Sequence, residues 1–273
     1  MRIAPATRVA ASLAAAAAVI AAAAPGIASA AAPPESVIAE AKAPLVAVYR
    51  TPTAKRPFLR LPNPTGHGGP LVFLVKERRP GWEKVYLPVR PNGSTGWIRD
   101  TQVTLALNPY RIRVSLGGHT ITVWNGAKVI LHEPAGVGRS IVPTPAGTYY
   151  LAELLAQPNP NGAYGPYAFG LSAHSNVLYS FGGGPGQIGL HGTNNPASLG
   201  TNASHGCIRI SNAGITKLTR LPPLGTPVRI TPESGRRDSN PRHLAWEASA
   251  LPTELRPRRH ANFSAARGTS PRG

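Results

Sequence analysis

Short runs in which apolar and polar residues alternate one for one, each soon stopped by glycine or proline, constrain this chain more than any other feature. Arg111-Ile112-Arg113-Val114-Ser115-Leu116 alternates strictly, and His119 to Trp124 repeats the pattern after Gly117-Gly118. Alternation of this kind places successive side chains on opposite faces of a strand. Asn125-Gly126 reads as a two-residue hairpin turn, with Lys128 to Leu131 as the returning strand. Upstream, Leu45 to Tyr49, Leu71 to Val75, Trp82 to Val89 and Gly96 to Ile98 are separated by turn signals at Pro62-Asn63-Pro64, Pro80-Gly81 and Pro91-Asn92-Gly93. With 29 glycines, 30 prolines and only 15% charged residues, long helices are disfavoured. The expected class is all-β. Residues 44–106 read as a small barrel, and a second strand-rich region covers 110–231. The latter ends in a short helix from Ala213 to Leu221, capped by Asn212, and a closing strand from Gly225 to Ile230.

The flanks differ in composition. Residues 1–30 read as an export signal: Arg2 and Arg8 open it, Val9 to Ala24 is apolar, and Ala28-Ser29-Ala30 fits a cleavage site. Pro25 and Gly26 interrupt the apolar run before it reaches bilayer-spanning length, so cleavage and secretion to the cell wall or periplasmic space are expected, with no stable membrane anchor. Residues 31–43, rich in Ala and Pro, read as a linker. Residues 232–273 resemble neither region and read as a disordered basic tail. A second reading makes that tail artefactual, because Asp238-Ser239-Asn240-Pro241 and Ala250 to Leu255 can both be encoded by the antisense strand of a tRNA gene.

The net charge of +18 favours anionic partners. No nucleic-acid-binding motif accompanies it, so an anionic cell-wall polymer is the expected partner rather than nucleic acid. The bland alternative is a compositional bias toward Arg.

The chemistry is concentrated in Gln187 to Asn212, which holds the single cysteine, Cys207, with His191 and His205. One cysteine allows no intramolecular disulfide, and a lone thiol is most often a small buried hydrophobe. Here its neighbours are Ser204-His205-Gly206, which is polar and glycine-containing, and Ile208-Arg209-Ile210, which alternates away from it as a strand. A thiol becomes a strong nucleophile when a base or positive charge favours its thiolate, and His191 is a candidate base. The backbone N–H groups of His205, Gly206 and Cys207 are candidate oxyanion donors. Arg209 is a candidate carboxylate binder, with a solvent-facing strand residue as the alternative. Ser204 and Asn194 are candidates for positioning these loops. Between Tyr110 and Ile230 the acidic residues are Glu133 and Glu153 alone, both remote from the motif in sequence. A two-carboxylate glycosidase and a carboxylate-rich metal site are therefore poorly supported. His191, His205 and Cys207 are zinc-ligand types at a spacing that is not a usual zinc pattern, so neither metal nor cofactor is expected.

His191-Gly192, a polar loop, then Ser204-His205-Gly206-Cys207-Ile208-Arg209, with Thr144-Pro145-Ala146-Gly147-Thr148-Tyr149 upstream, resembles the L,D-transpeptidase (YkuD-type) catalytic domain over roughly residues 110–230. The span WEKVYLPVRPNGSTGWI resembles a bacterial SH3-like module. The resemblance implies a β-sandwich catalytic domain in which the Cys207 thiolate attacks the diaminoacid–D-Ala bond of a peptidoglycan stem peptide. D-Ala leaves, and an amine of a second stem resolves the thioester. It also implies His191 as general base, the Gly192 carbonyl as its orienting group, and acylation by carbapenem-type inhibitors.

Alternatives remain open at this level. Water in place of the amine gives an L,D-carboxypeptidase, and a degenerate domain gives a non-catalytic wall-binding protein. Residues 153–187, rich in Gly, Pro, Asn and Tyr, read as a long loop forming a partial lid, with Tyr164, Tyr167 and His174 as wall residues. Trp82 and Trp97 read as core aromatics in preference to a ligand groove.

Overall fold

The computed structural model describes residues 35–232, which lie within one compact unit. The expected leader and almost all of the expected tail fall outside the described residues.

The N-terminal part contains β1 (Ser36–Ala41), β2 (Leu45–Val48), β3 (Leu59–Pro62), β4 (Val72–Arg79), β5 (Trp82–Tyr86), β6 (Thr95–Arg99) and β7 (Val103–Asn108). Five strands form a sheet in the order β6-β5-β4-β1-β7, and β2 and β3 form a separate hairpin. Tyr49 and Trp97 exchange both backbone hydrogen bonds, at 2.7 and 2.8 Å, and so tie that hairpin to β6. Val46, Val48, Phe73, Val85 and Ile98 fill the space between them. The linker expected over residues 31–43 is corrected in part: Ser36–Ala41 pairs with both β4 and β7. Its alternation uses small residues, with Val37, Ala39 and Ala41 buried, and so was hidden in an Ala-rich composition.

The second part contains β8 (Tyr110–Ser115), β9 (Thr120–Asn125), β10 (Lys128–Pro134), β11 (Val137–Gly138), β12 (Gly147–Ala156), β13 (Tyr167–His174), β14 (Gln187–His191), β15 (Asn202–Ser204), β16 (Ile208–Arg209), α1 (Asn212–Leu218) and β17 (Pro227–Thr231). Eight of these strands form one curled sheet in the order β10-β9-β8-β17-β12-β13-β14-β16. The chain is thus mostly β with one short α-helix among the described residues. Ile112, Val114, Tyr149, Leu151, Phe169, Leu190, Ile208, Ile215 and Val228 share one core, into which α1 packs.

Three local readings change. The β9–β10 hairpin turns on Gly126-Ala127, since Asn125 pairs with Lys128, and Gly126 has φ +56°. That is a glycine-first turn, which matches strand twist with one positive φ. The cap of α1 is Ser211, whose Oγ accepts from Gly214 N at 2.9 Å; Asn212 is the first helical residue. The long loop expected over 153–187 is broken up by strand: β12 continues to Ala156, and β13 occupies Tyr167–His174 between β12 and β14. Buried on both faces, β13 shows no alternation, which is why it was missed. Gly170 leaves room there for the Glu153 side chain and Gln187 Nε2, which a Cβ would push aside.

The two parts pack on each other. Val72 and Leu74 of β4 bury against Tyr150 of β12. Asn108 Nδ2 donates to Thr226 Oγ1 at 3.0 Å, and His67 Nδ1 lies 2.7 Å from Glu153 Oε2.

Candidate active site

Two adjacent parallel strands build the site. In β14 and β16, Leu190 pairs with Ile208 and His191 with Arg209. The two-residue period sets Gly189 and His191 on one face of β14, and Cys207 and Arg209 on the corresponding face of β16 and its approach. Gly189 lies between the reactive groups. A methyl group there would sit 3.4 Å from His191 Cδ2 and 3.6 Å from Cys207 Sγ, so the Nε2–Cδ2 edge of the imidazole and the sulfur flank the same point. Gly189 N donates to Cys207 Sγ at 3.4 Å.

His191 is 3% exposed, and its Nδ1 lies 2.5 Å from the Gly192 carbonyl oxygen. A carbonyl only accepts, so Nδ1 carries the proton and Nε2 is left with its lone pair. Burial pushes the imidazole pKa down to about 4; the Gly192 hydrogen bond opposes this and Arg209 adds to it. Burial likewise pushes the Cys207 thiol up, against the Gly189 N–H and the positive charge of Arg209. Both groups therefore rest in their neutral forms near pH 7.

The turn before the sulfur is held by two hydroxyl side chains. Ser204 Oγ donates to Cys207 O at 2.6 Å and accepts from Gly206 N at 3.1 Å. Thr144 Oγ1 donates to Gly206 O and accepts from Gly138 N, both at 2.8 Å. Gly206 has φ +112°, and a Cβ there would press on Ile188 Cδ1 at 3.2 Å. The Gly206 N–H is thus engaged by Ser204, which removes it from the expected set of oxyanion donors. Thr144, within the upstream Thr144-Pro145-Ala146-Gly147 motif, joins that motif to the thiol turn through these contacts.

The other expected residues fall at different distances from the chemistry. His205 is exposed; its Nε2 lies 2.5 Å from an Arg139 nitrogen, and its ring stacks on Phe181 with centroids 5.5 Å apart. Arg209 is half-buried, and its Nε and that of Arg139 are buried without a hydrogen-bond partner among the described residues. Tyr164 leans on His191, with ring centroids 4.6 Å apart, and burial with the nearby Cys207 raises its phenol pKa. Tyr167 packs on the core and offers its carbonyl to Gly192 N at 3.4 Å. Asn194 is exposed, and no hydrogen bond reaches its side chain among the described residues. The loop is held instead by Thr193, Asn195 and Ser198, and by Asn212, whose Oδ1 accepts from Thr193 N at 2.8 Å. His174 sits at the far end of β13, where its backbone N and O bond Asn92.

Both carboxylates of this region have structural partners. Glu133 receives Ser211 N and Oγ at 3.1 and 2.9 Å, and Glu153 meets His67. No group of three His, Cys, Asp or Glu side chains that could hold a metal occurs among the described residues. What the site offers is one shielded sulfur, one imidazole with a free Nε2, and two arginines.

Comparison with known proteins gives the family. The family model for the L,D-transpeptidase (YkuD) catalytic domain matches residues 109–230. The putative L,D-transpeptidase YkuD of Bacillus licheniformis is 38% identical over 124 residues, which is 45% of this chain and 67% of that protein. Its Bacillus subtilis counterpart is 38% identical over 122 residues, 45% of this chain and 66% of that protein. Among solved structures, Bdellovibrio bacteriovorus Bd1075 is 30% identical, covers 45% of this chain and 48% of its own, and superposes with a TM-score of 0.37. The chain thus spans about two thirds of the Bacillus proteins and under half of the Bdellovibrio chain. It belongs to the YkuD L,D-transpeptidase family.

Proposed function

We propose that the protein is a secreted, cysteine-dependent peptidoglycan L,D-transpeptidase. The observation that carries this reading is the convergence on Gly189: the Cys207 sulfur and the free edge of His191 meet there, and the Gly192 carbonyl sets the imidazole tautomer. The donor is a stem peptide ending in diaminoacid–D-Ala. His191 Nε2 takes the Cys207 proton as the sulfur attacks the scissile carbonyl. The resulting imidazolium gives that proton to the departing D-Ala amine, leaving a thioester on Cys207. An amine of a second stem then attacks the thioester, regenerates the thiol and forms the cross-link. Because Gly206 N–H is engaged, the oxyanion falls to the neighbouring backbone amides of His205 and Cys207. Arg209 binds a substrate carboxylate. With both groups neutral at rest, the proton passes to His191 Nε2 as the sulfur attacks, so no free thiolate has to form beforehand. The basic surface favours an anionic wall polymer as a further partner, and the N-terminal strands are an SH3-like module.

The test is intact-mass analysis of the full chain after exposure to a carbapenem, followed by D-Ala release from a tetrapeptide stem. A single covalent adduct and D-Ala release, both abolished in Cys207→Ala, are the expected result. Turnover that survives Cys207→Ala overturns the mechanism, and a dimeric stem product separates transfer from hydrolysis.

A further inference from the structure

One loop at the rim of the site is held almost entirely by the other half of the molecule. Residues 175–186 leave β13 and return to β14 through a neck closed by Ser175 N donating to Gly186 O at 2.8 Å. Within the loop, Ser175 Oγ accepts from the amides of Val177 and Leu178, and Phe181 and Gly184 exchange backbone hydrogen bonds at 3.0 Å. Among the described residues, the hydrogen bonds that leave the loop all go to Arg90 and Asn92, in the turn between β5 and β6. Arg90 donates to three carbonyls: Ser175 at 2.5 Å, Leu178 at 3.0 Å and Pro185 at 2.9 Å. Its guanidinium also lies 4.6 Å from the Tyr179 ring centroid. Asn92 reaches Asn176 Oδ1 at 3.1 Å and pairs both ways with the His174 backbone, at 2.7 and 2.8 Å. Gly186, at φ +72°, lets the chain pass under the guanidinium; a Cβ there would stand 3.2 Å from Arg90 Nη2 and collide with the Leu178 carbonyl. At the other end of the loop Phe181 stacks on His205, two residues before the nucleophile candidate.

We infer that Arg90 is a positioning residue for the thiol cleft: through the 175–186 loop it holds Phe181 on His205, so the N-terminal part of the chain supplies one wall of the site. The planar fork of a guanidinium satisfies three carbonyls that converge from both arms of the loop, which a single ammonium on a flexible stem does not reproduce. No carboxylate hydrogen-bonds Arg90 among the described residues, so its donors are devoted to this loop. Loss of the fork leaves those carbonyls unpartnered and frees the loop to swing its aromatic tip away. The inference rests on the transpeptidase reading only for its substrate consequences; the access of Cys207 to a small reagent is independent of that reading.

The experiment uses the full chain, whose single cysteine makes alkylation by iodoacetamide unambiguous. The variants are Arg90→Ala, Phe181→Ala, the double variant, and His67→Ala, which breaks a different contact between the two parts. Release of a wall worth a few hydrogen bonds should raise the alkylation rate about fivefold in Arg90→Ala and in Phe181→Ala, and the double variant should be no faster than either. Its pH profile should be unchanged, because Arg90 acts on access and not on the thiol. Carbapenem acylation and stem-peptide KM should worsen about tenfold with kcat within about twofold, the mark of lost uniform binding. His67→Ala should leave all of these as in the parent. Equal effects of Arg90→Ala and His67→Ala, multiplying effects in the double variant, or no effect of Arg90→Ala each overturn the inference. If Arg90→Ala does not fold, Arg90→Lys and Asn92→Ala carry the same expectation. Absence of carbapenem acylation in the parent chain, with the alkylation pattern intact, defeats the activity and leaves the positioning role standing.

Discussion

At Cys207 and His191, burial favours the neutral form of each group, raising the proton affinity of the thiol and lowering that of the imidazole, and pH reads the two separately. The thiol is held above its usual range by desolvation, and Gly189 N–H and Arg209 only soften this. Alkylation of Cys207 should therefore keep rising through pH 9 without a plateau and show no inflection at the usual imidazole pKa. Arg209→Ala, which removes a lowering influence, should move the curve further up in pH; a curve unmoved by that change would sever Arg209 from the sulfur. His191 has a stability consequence of its own. Its folded pKa of about 4 lies below the unfolded value, so between pH 6.5 and 4 the unfolded chain binds the proton that the folded chain refuses. Stability falls as pH falls through that window, by about 3 kcal/mol from this residue alone. Denaturant titrations should show that loss in the parent and not in His191→Gln.

At the scale of elements, the end of β16 and the start of α1 are set by paired polar contacts. Ser211 caps α1 through Gly214 N and gives its own N and Oγ to Glu133 on β10. Ser211→Ala should cost about 1–2 kcal/mol, the value of a cap plus a lost partner for a carboxylate. Asn212→Ala should act differently, because its side chain holds Thr193 N in the loop after His191. Thermal unfolding should show the first change chiefly as lost stability, and the cysteine assay should show the second as altered reactivity. The alternating strands β8 and β9 were legible from their pattern because one face meets the core and the other meets polar surroundings. β13 was not, because burial on both sides erases the alternation on which such a reading depends. β1 was hidden for a different reason: its inward residues are largely alanines, too small to stand out from an Ala-rich flank.

Across the whole molecule, the join between the two sheets is a small apolar cluster of Val72, Leu74 and Tyr150, bordered by Tyr86, Ala152 and Leu224. Leu74 is fully buried, and Leu74→Ala should cost about 2–5 kcal/mol, with both sheets lost in one calorimetric transition. The Tyr150 hydroxyl is buried there without a hydrogen-bond partner among the described residues, and burial raises its pKa strongly. Tyr150→Phe removes an unsatisfied group from a tight site, so it should leave stability unchanged or raise it by about 1 kcal/mol. A loss of stability would mean that the hydroxyl has a partner, such as a buried water.

Local chemistry was readable in one dimension. The lone thiol, the glycines beside it, the His191 and Thr144 motifs and the alternation of β8 and β9 all lie within short stretches whose residue types restrict what the backbone can do. Contacts between distant segments were not readable. That Thr144 braces the thiol turn, that Asn194 stands aside while Asn212 holds the loop, and that Arg90 reaches the 175–186 loop are facts of three-dimensional proximity. A hydrogen bond between residues more than eighty positions apart leaves no periodicity or spacing in the chain. It exists only because packing of the two sheets brings a donor and three carbonyls within reach of each other.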